Sequence, residues 1–210
     1  MDYAAATGDV YTYNALTADA QGGYDGSFNG WAVVGFSSIE KFNITTGAGN
    51  DTITTGDGAD SVNTGAGNDV VNTGSGADSA NGGADIDAIS ADLSALATAV
   101  KWNLQANTFS GAGRSFTNFE YFGTVLTGSG NDTIVSGAGA FNETINSGGG
   151  NDSVTVAAGS DSVIGGIGTD TLVMDYSAAT GDVYTYNALT ANGQGGYDGS
   201  FNGWAYVGFS

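Results

Sequence analysis

Ten acidic residues stand at intervals that scattered surface charge does not produce. Asp51, Asp60, Asp69, Asp78 and Asp87 are nine apart, and Asp132, Glu143, Asp152, Asp161 and Asp170 follow at intervals of eleven, nine, nine and nine. Carboxylates in register can hold hard cations through oxygen, or pair as acid and base around a reacting bond. The second use lacks its usual company. The chain has no His and no Cys, and Lys41, Lys101 and Arg114 are its only bases, so no nucleophile and base can be assembled. Every regular acid falls in one lattice, and Glu40 and Glu120 occupy equivalent flanking positions, so the chain is read as not being an enzyme.

The residues around the acids repeat with them. Gly47, Gly56, Gly65, Gly74 and Gly83 lie four positions before the first five acids, and Gly49, Gly58, Gly67 and Gly76 lie two before. Two positions after come Ile53, Val62, Val71, Ala80 and Ile89, and in the second run Ile134, Ile145, Val154, Val163 and Leu172. Glycine, acid and aliphatic recurring together resemble the G-G-x-G-x-D-x-U-x nonapeptide of the RTX, or haemolysin-type, calcium-binding family. The resemblance spans residues 45–90 and 126–173. It implies an all-β fold, a parallel β-roll solenoid with two calcium-binding repeat arrays and β-rich connectors.

The physics of such a repeat is simple. Six glycine-rich residues turn where a Cβ would clash, and the next three form a short strand whose middle residue points inward. Two nonapeptides make one coil, residues 18 apart stack, and only stacking builds a core. Acids then lie over acids and repel one another; a calcium ion, which takes 6–8 oxygens, resolves the clash with help from turn carbonyls. In the RTX family the ion sits between same-side turns. Carried onto this chain, the resemblance implies several Ca²⁺ ions, at 51/69, 60/78 and 69/87 and at Asp132/Asp152, Glu143/Asp161 and Asp152/Asp170.

Some positions depart from the motif. Thr46, Thr55, Thr64 and Thr73 replace the first glycine, Asp85 enters a glycine slot, two extra residues accompany Glu143, and Ala157 replaces a glycine. The 51/69 and 60/78 sites therefore rank first, 69/87 is expected to be irregular, and anything involving Glu143 ranks last.

The formal charge of -19 makes the compact state costly without cations and makes nucleic acid and anionic membranes poor partners. Such charge with 37 glycines could also mean disorder, but three Trp, ten Tyr and ten Phe argue for a packed core. No disulfide is available as a cross-link, no apolar run reaches the roughly 20 residues that span a bilayer, and no signal peptide opens the chain.

A second, longer period is present. Residues 1–37 return as 174–210, differing only at Ala4/Ser177, Asp19/Asn192, Ala20/Gly193 and Val33/Tyr206. The expected organisation is an aromatic connector at 1–44, the first array at 45–90, a degenerate connector at 91–125, the second array at 126–173, and a second, incomplete copy of the connector at 174–210. Strands are expected at Tyr11–Tyr13, at Tyr184–Tyr186 and over Trp31–Phe36, with turns at Gly22–Gly26 and Asn29–Gly30. Strand is preferred to helix over Asp92–Leu104. The connectors should extend or cap the roll and supply bulky core residues.

Duplication of a whole unit favours a calcium-dependent structural module of a large secreted or surface-attached repeat protein, extracellular or on a bacterial cell surface. Its partners would be calcium, neighbouring repeats of the parent chain and, secondarily, cell-surface or carbohydrate contacts. The alternative is the calcium-binding region of an extracellular enzyme or toxin that leaves the cell unfolded. An ice-binding surface is disfavoured, because Ala48, Asp57, Ala66 and Ser75 give no outward threonine row.

Overall fold

Short runs with one aliphatic residue between two polar ones are too brief for helices and suit half-buried strands. A computed structural model describes residues 1–29, 33–177, 184–191, 196–202 and 206–209. Its strands up to Asp92 are β1 (Tyr11–Ala18), β2 (Tyr24–Asn29), β3 (Val34–Ile39), β4 (Asn43–Thr45), β5 (Thr52–Thr54), β6 (Ser61–Asn63), β7 (Val70–Ser75), β8 (Ser79–Asn81) and β9 (Ala88–Asp92). The middle of the chain adds β10 (Lys101–Asn103), β11 (Thr108–Ser110) and β12 (Ser115–Thr117). Then follow β13 (Tyr121–Leu126), β14 (Thr133–Val135), β15 (Thr144–Asn146), β16 (Ser153–Val156), β17 (Ser160–Ile164), β18 (Thr171–Met174), β19 (Tyr184–Ala191), β20 (Tyr197–Asn202) and β21 (Tyr206–Phe209). The described residues contain no helix.

Two compact units result. The first comprises Met1–Asp92 with Ala112–Phe119, and the second Leu93–Gly111 with Glu120–Ser210. In the first, parallel pairing sets Ile53 beside Val71 and Val71 beside Ile89, and on the opposite sheet Ile44 beside Val62, Val62 beside Ala80 and Ala80 beside Phe116. The strands order as β9-β7-β5-β1-β2-β3 and β12-β8-β6-β4. Within the array the step between partners is two nonapeptides, so this is a parallel β-solenoid of the β-roll kind.

The second unit repeats the plan. Val125 stacks on Ile145 and Ile145 on Val163, while Trp102 precedes Ile134, Val154 and Leu172 in the facing ladder. Its strands order as β13-β15-β17-β21-β20-β19 and β11-β10-β14-β16-β18. Ile53, Val71, Ile89, Ile134 and Ile145 are each 0% exposed, and full burial of such a side chain is worth about 1.5–3 kcal/mol. These layers are what hold the glycine-rich turns in place.

The connectors supply bulk, as their composition implies. Phe28 and Phe42 are buried and meet Phe36 at ring-centroid distances of 5.4 and 5.1 Å. Trp102 is buried between Phe109 at 5.0 Å and Phe122 at 4.9 Å. Phe116 fills the layer that Ala80 leaves shallow.

Two details correct the sequence reading. The Asp92–Leu104 stretch is strand only at Asp92 and over Lys101–Asn103; residues 93–100 between them are irregular, and Leu96 N–H folds back on the Leu93 carbonyl at 2.9 Å. The tight turn expected at Gly22–Gly26 closes earlier: Asp19 N–H donates to the Gly23 carbonyl at 2.8 Å, and Tyr24, Asp25 and Gly26 already belong to β2. Gly30, Trp31 and Ala32, part of an expected turn and strand, lie outside the described residues.

Candidate metal centre

The array acids sit at the last turn position, immediately before a strand, except Asp161, which lies inside β17. Asp51 precedes β5, Asp60 β6, Asp69 β7, and in the second unit Asp132 precedes β14 and Glu143 β15. The inward strand residue that follows anchors each acid, so the 18-residue stacking of the layers stacks the carboxylates too. Asp51, Asp60, Asp69, Asp78, Asp87, Asp132, Glu143, Asp152 and Asp161 are all at most 3% exposed. Asp170 is exposed.

The stack has a regular polarity. Asp51 N–H donates to Oδ1 of Asp69 at 2.7 Å and Asp69 N–H to Oδ1 of Asp87 at 2.8 Å; on the other side Asp60 N–H donates to Oδ1 of Asp78 at 3.0 Å. In the second unit Asp132 N–H reaches Asp152 at 2.8 Å, Asp152 N–H reaches Asp170 at 3.0 Å, and Glu143 N–H reaches Asp161 at 3.1 Å. Connector residues complete the ladders from below: Val10, Phe42 and Val100 donate to Asp51, Asp60 and Asp132 at 2.7, 2.8 and 2.8 Å. The first coil of each ladder is thus built by a connector that lacks the motif.

In seven of these carboxylates one oxygen is used in this way, and the other is not. Oδ2 of Asp51, Asp60, Asp69, Asp78, Asp132, Asp152 and Asp161 is buried with no hydrogen-bond partner. At Asp51 and Asp69 the neighbouring threonines do not relieve it. A hydroxyl has one proton, and Thr46 and Thr64 give theirs to the carbonyls of Thr64 and Gly82, at 2.8 and 2.7 Å. A buried charge left so is costly, and burial accordingly drives the carboxyl pKa upward: to about 6 for Asp69, Asp78 and Asp161 and to about 8 for Glu143. Asp51, Asp60 and Asp152 shift the same way, also through burial.

A divalent cation would answer this need. Hard oxygen donors from two stacked turns suit calcium, which accepts irregular coordination completed by main-chain carbonyls. No group of three acidic side chains capable of holding a metal occurs among the described residues; the acids stand in stacked pairs. Glycine lets the turns approach closely enough. Gly65 has φ +97°, and a Cβ there would run into the Gly47 carbonyl of the turn below.

The expected irregularities are not of one kind. The Asp69/Asp87 pair keeps the same bond as its neighbours, because Asp85 takes a positive φ of 83° and turns outward, where Oδ2 accepts the Gly67 N–H at 3.3 Å. The two extra residues before Glu143 lie in the Gly137–Asn142 loop, and Thr124 pairs with Thr144 across a 20-residue coil. Glu143 remains in register, with the longest bond from below, 3.5 Å from Phe122 N–H.

Three features escaped the sequence reading. Asparagines form a second ladder beside the acids: Asn68 N–H donates to Oδ1 of Asn50, Ile86 N–H to Asn68, Asn151 N–H to Asn131 and Thr169 N–H to Asn151, at 2.8–3.1 Å. The recurrent Asn-Asp pair was its signal. The buried threonines make coil-to-coil bonds where the motif has glycine. Arg114 precedes Ser115, which pairs with Ser79 as Ser79 does with Ser61, so it holds the slot after Asp78 where an acid would stand. Its distance of 36 residues from Asp78, two coils, was the available clue.

The comparisons agree with this geometry. A family model described as the RTX calcium-binding nonapeptide repeat matches four times, over residues 43–71, 54–89, 124–140 and 138–172. Neither the search of curated proteins nor that of solved structures returns a match.

Proposed function

Because the two arrays belong to the RTX calcium-binding nonapeptide repeat family, a structural rather than catalytic one, we propose that the chain is a calcium-dependent structural module of a large secreted or surface-attached repeat protein. The observation that carries the proposal is the row of buried carboxylate oxygens without partners in stacked turns. Asp51/Asp69, Asp60/Asp78 and Asp69/Asp87 would each share an ion, as would Asp132/Asp152, Glu143/Asp161 and Asp152/Asp170. Calcium supplies the positive charge that lets both members of a pair ionise in a buried place.

Folding and binding are then one process. A site absent from the unfolded chain adds its binding free energy to folding, about 1.4 kcal/mol when free calcium is ten times the dissociation constant. Several such sites decide whether a chain with a charge of -19 and 37 glycines is ordered. Millimolar calcium outside the cell favours the roll, and submicromolar calcium inside favours the open chain that export requires. Duplication of residues 1–37 of the connector at 174–210 supports a scaffold of repeated units over a calcium region attached to an enzyme or toxin.

Circular dichroism during a calcium titration tests the reading. A disordered spectrum in chelator should convert cooperatively to a β spectrum, with magnesium far less effective. A β spectrum that is complete in excess chelator at neutral pH would overturn it.

A further inference from the structure

The near-identical segments 1–37 and 174–210 fold alike but are joined to their arrays through opposite edges. In the first copy Tyr11 pairs with Asn29, Thr12 with Phe28, Asn14 with Ser27, Thr17 with Asp25 and Ala18 with Tyr24, with register shifts on both sides of Asn14. In the second, Tyr184 pairs with Asn202, Thr185 with Phe201, Asn187 with Ser200, Thr190 with Asp198 and Ala191 with Tyr197, with shifts on both sides of Asn187. The third strands agree as well: Gly35 opposes Ser27, and Gly208 opposes Ser200. Each copy is therefore the same antiparallel three-stranded meander.

Their outer neighbours differ. The first copy uses its first strand: β1 lies parallel to β5, with Tyr11 opposite Thr52, and Thr54 N–H donates to the Thr12 hydroxyl at 2.9 Å. Its third strand, β3, ends the sheet. The second copy uses its third strand: β21 lies parallel to β17, with Asp161 opposite Val207, Ser162 opposite Gly208 and Val163 opposite Phe209. Its first strand, β19, ends the sheet. One sequence thus displays two working edges, each occupied in one copy and, among the described residues, unpaired in the other.

We propose that the meander is a two-edged splice: its third strand receives the last strand that the preceding array gives to the same sheet, and its first strand receives a strand of the array after it. The splice rests on reading the chain as a unit of a tandem-repeat protein. The occupant of the β3 edge is then a strand equivalent to Ser160–Ile164 from an adjacent copy of this unit, set so that Asp161 falls opposite Val34, Ser162 opposite Gly35 and Val163 opposite Phe36. This follows from the pairing of β21 by the 173-residue offset. Exposure at the bare edge fits: Val33 is 68% and Val34 36% exposed, and an unpaired apolar edge invites pairing. The occupant comes from the same polypeptide, because β17 of a separate chain is already engaged by its own β21.

Amide hydrogen exchange tests this with an internal control, since Val34-Gly35-Phe36 and Val207-Gly208-Phe209 are identical in sequence. In the calcium-loaded 210-residue chain, outward-facing amides of the second segment should exchange ~100-fold or more slowly than those of the first, as paired strands do relative to bare edges. In a tandem chain, residues 1–173 followed by 1–210, the internal meander should be protected along both outer edges while the terminal meanders keep their single-chain values. An internal third-strand edge exchanging as fast as β3 of the single chain would overturn the proposal. So would protection of β3 in separate chains that rises with concentration. Core amides at Ile53 and Ile134 report in the same samples whether calcium orders the arrays, so failure of calcium-driven folding is seen apart from failure of the splice.

Discussion

Asp51 and Asp69 are joined in one direction while the residues before them are joined in the other. The Asp51 N–H donates up to Oδ1 of Asp69 at 2.7 Å, and the Asn68 N–H donates back to Oδ1 of Asn50 at 2.8 Å. The side chains of Asn50 and Asp69 thereby clamp successive turns reciprocally and leave Oδ2 of both aspartates for a cation. On the opposite side Ala59 and Ala77 hold the asparagine positions, so the Asp60/Asp78 turns have only half of the clamp. Replacing Asn50 with Ala, which removes the acceptor of the Asn68 N–H, should lower stability in saturating calcium by about 1–2 kcal/mol, the cost of a lost hydrogen bond and an unsatisfied donor. Urea denaturation measures this, and an unchanged midpoint would mean that the asparagine ladder contributes nothing.

Shared acids should matter more than terminal ones. Asp69 stands between Asp51 and Asp87 and would serve two ions, whereas Asp60 would share one with Asp78. Asp69→Asn keeps an acceptor for the Asp51 N–H but removes the charge. It should raise the calcium midpoint by about tenfold or more, on the scale by which ligand charge tunes such sites, and by more than Asp60→Asn. Asp19→Asn, in a connector turn where Oδ1 accepts the N–H groups of Gln21 and Gly23, should leave the midpoint where it is.

Protons should substitute poorly for calcium, with a definite sign. Burial raises the folded-state pKa of Asp69, Asp78 and Asp161 to about 6 from 3.8, and of Glu143 to about 8 from 4.5. The folded chain then holds protons that the unfolded chain releases. The associated stability is present in full below about pH 4 and is lost as pH rises through 6, and through 8 for Glu143. In chelator the β signal should therefore grow on acidification from about pH 7.5 to 4.5, while the calcium midpoint rises because protons compete for the same oxygens. A chelated chain that loses order over that interval would contradict the burial of these acids.

Arg114 offers a converse test. It holds the ladder slot beyond Asp78, and its charge opposes the upward shift that burial gives Asp78. Arg114→Asp should extend the acid ladder, making the chain less ordered in chelator and adding about one bound ion in calcium, by the logic of paired acidic ligands. An unchanged ion count with an unchanged calcium midpoint would show that the slot cannot act as part of the ladder.

The arrays were legible because a nine-residue period carries position, direction and neighbour at once. Ile53, Val71 and Ile89 had to stack once the turns were equal in length, and the acids before them followed. Legibility fails where the coil length changes. Arg114 lies two coils from Asp78 with a strand, turns and a hairpin between them, so no local period marks it. Val10 and Phe42 act through main-chain N–H groups, which any residue can supply. Asp85 looked disruptive because an acid in a glycine slot usually strains the turn, but at φ 83° its side chain lies on the outside of the turn and accepts the Gly67 N–H of the neighbouring coil. The meander edges required two copies of one sequence to be seen in different company.

The most direct test is a crystal structure grown in millimolar calcium, with ions located by anomalous scattering. The account expects calcium between Asp51 and Asp69 and between Asp60 and Asp78, within 2.3–2.6 Å of the Oδ2 atoms that otherwise have no partner. A fully ordered first array with no ion at either position, its acids protonated or bridged by water, would contradict it.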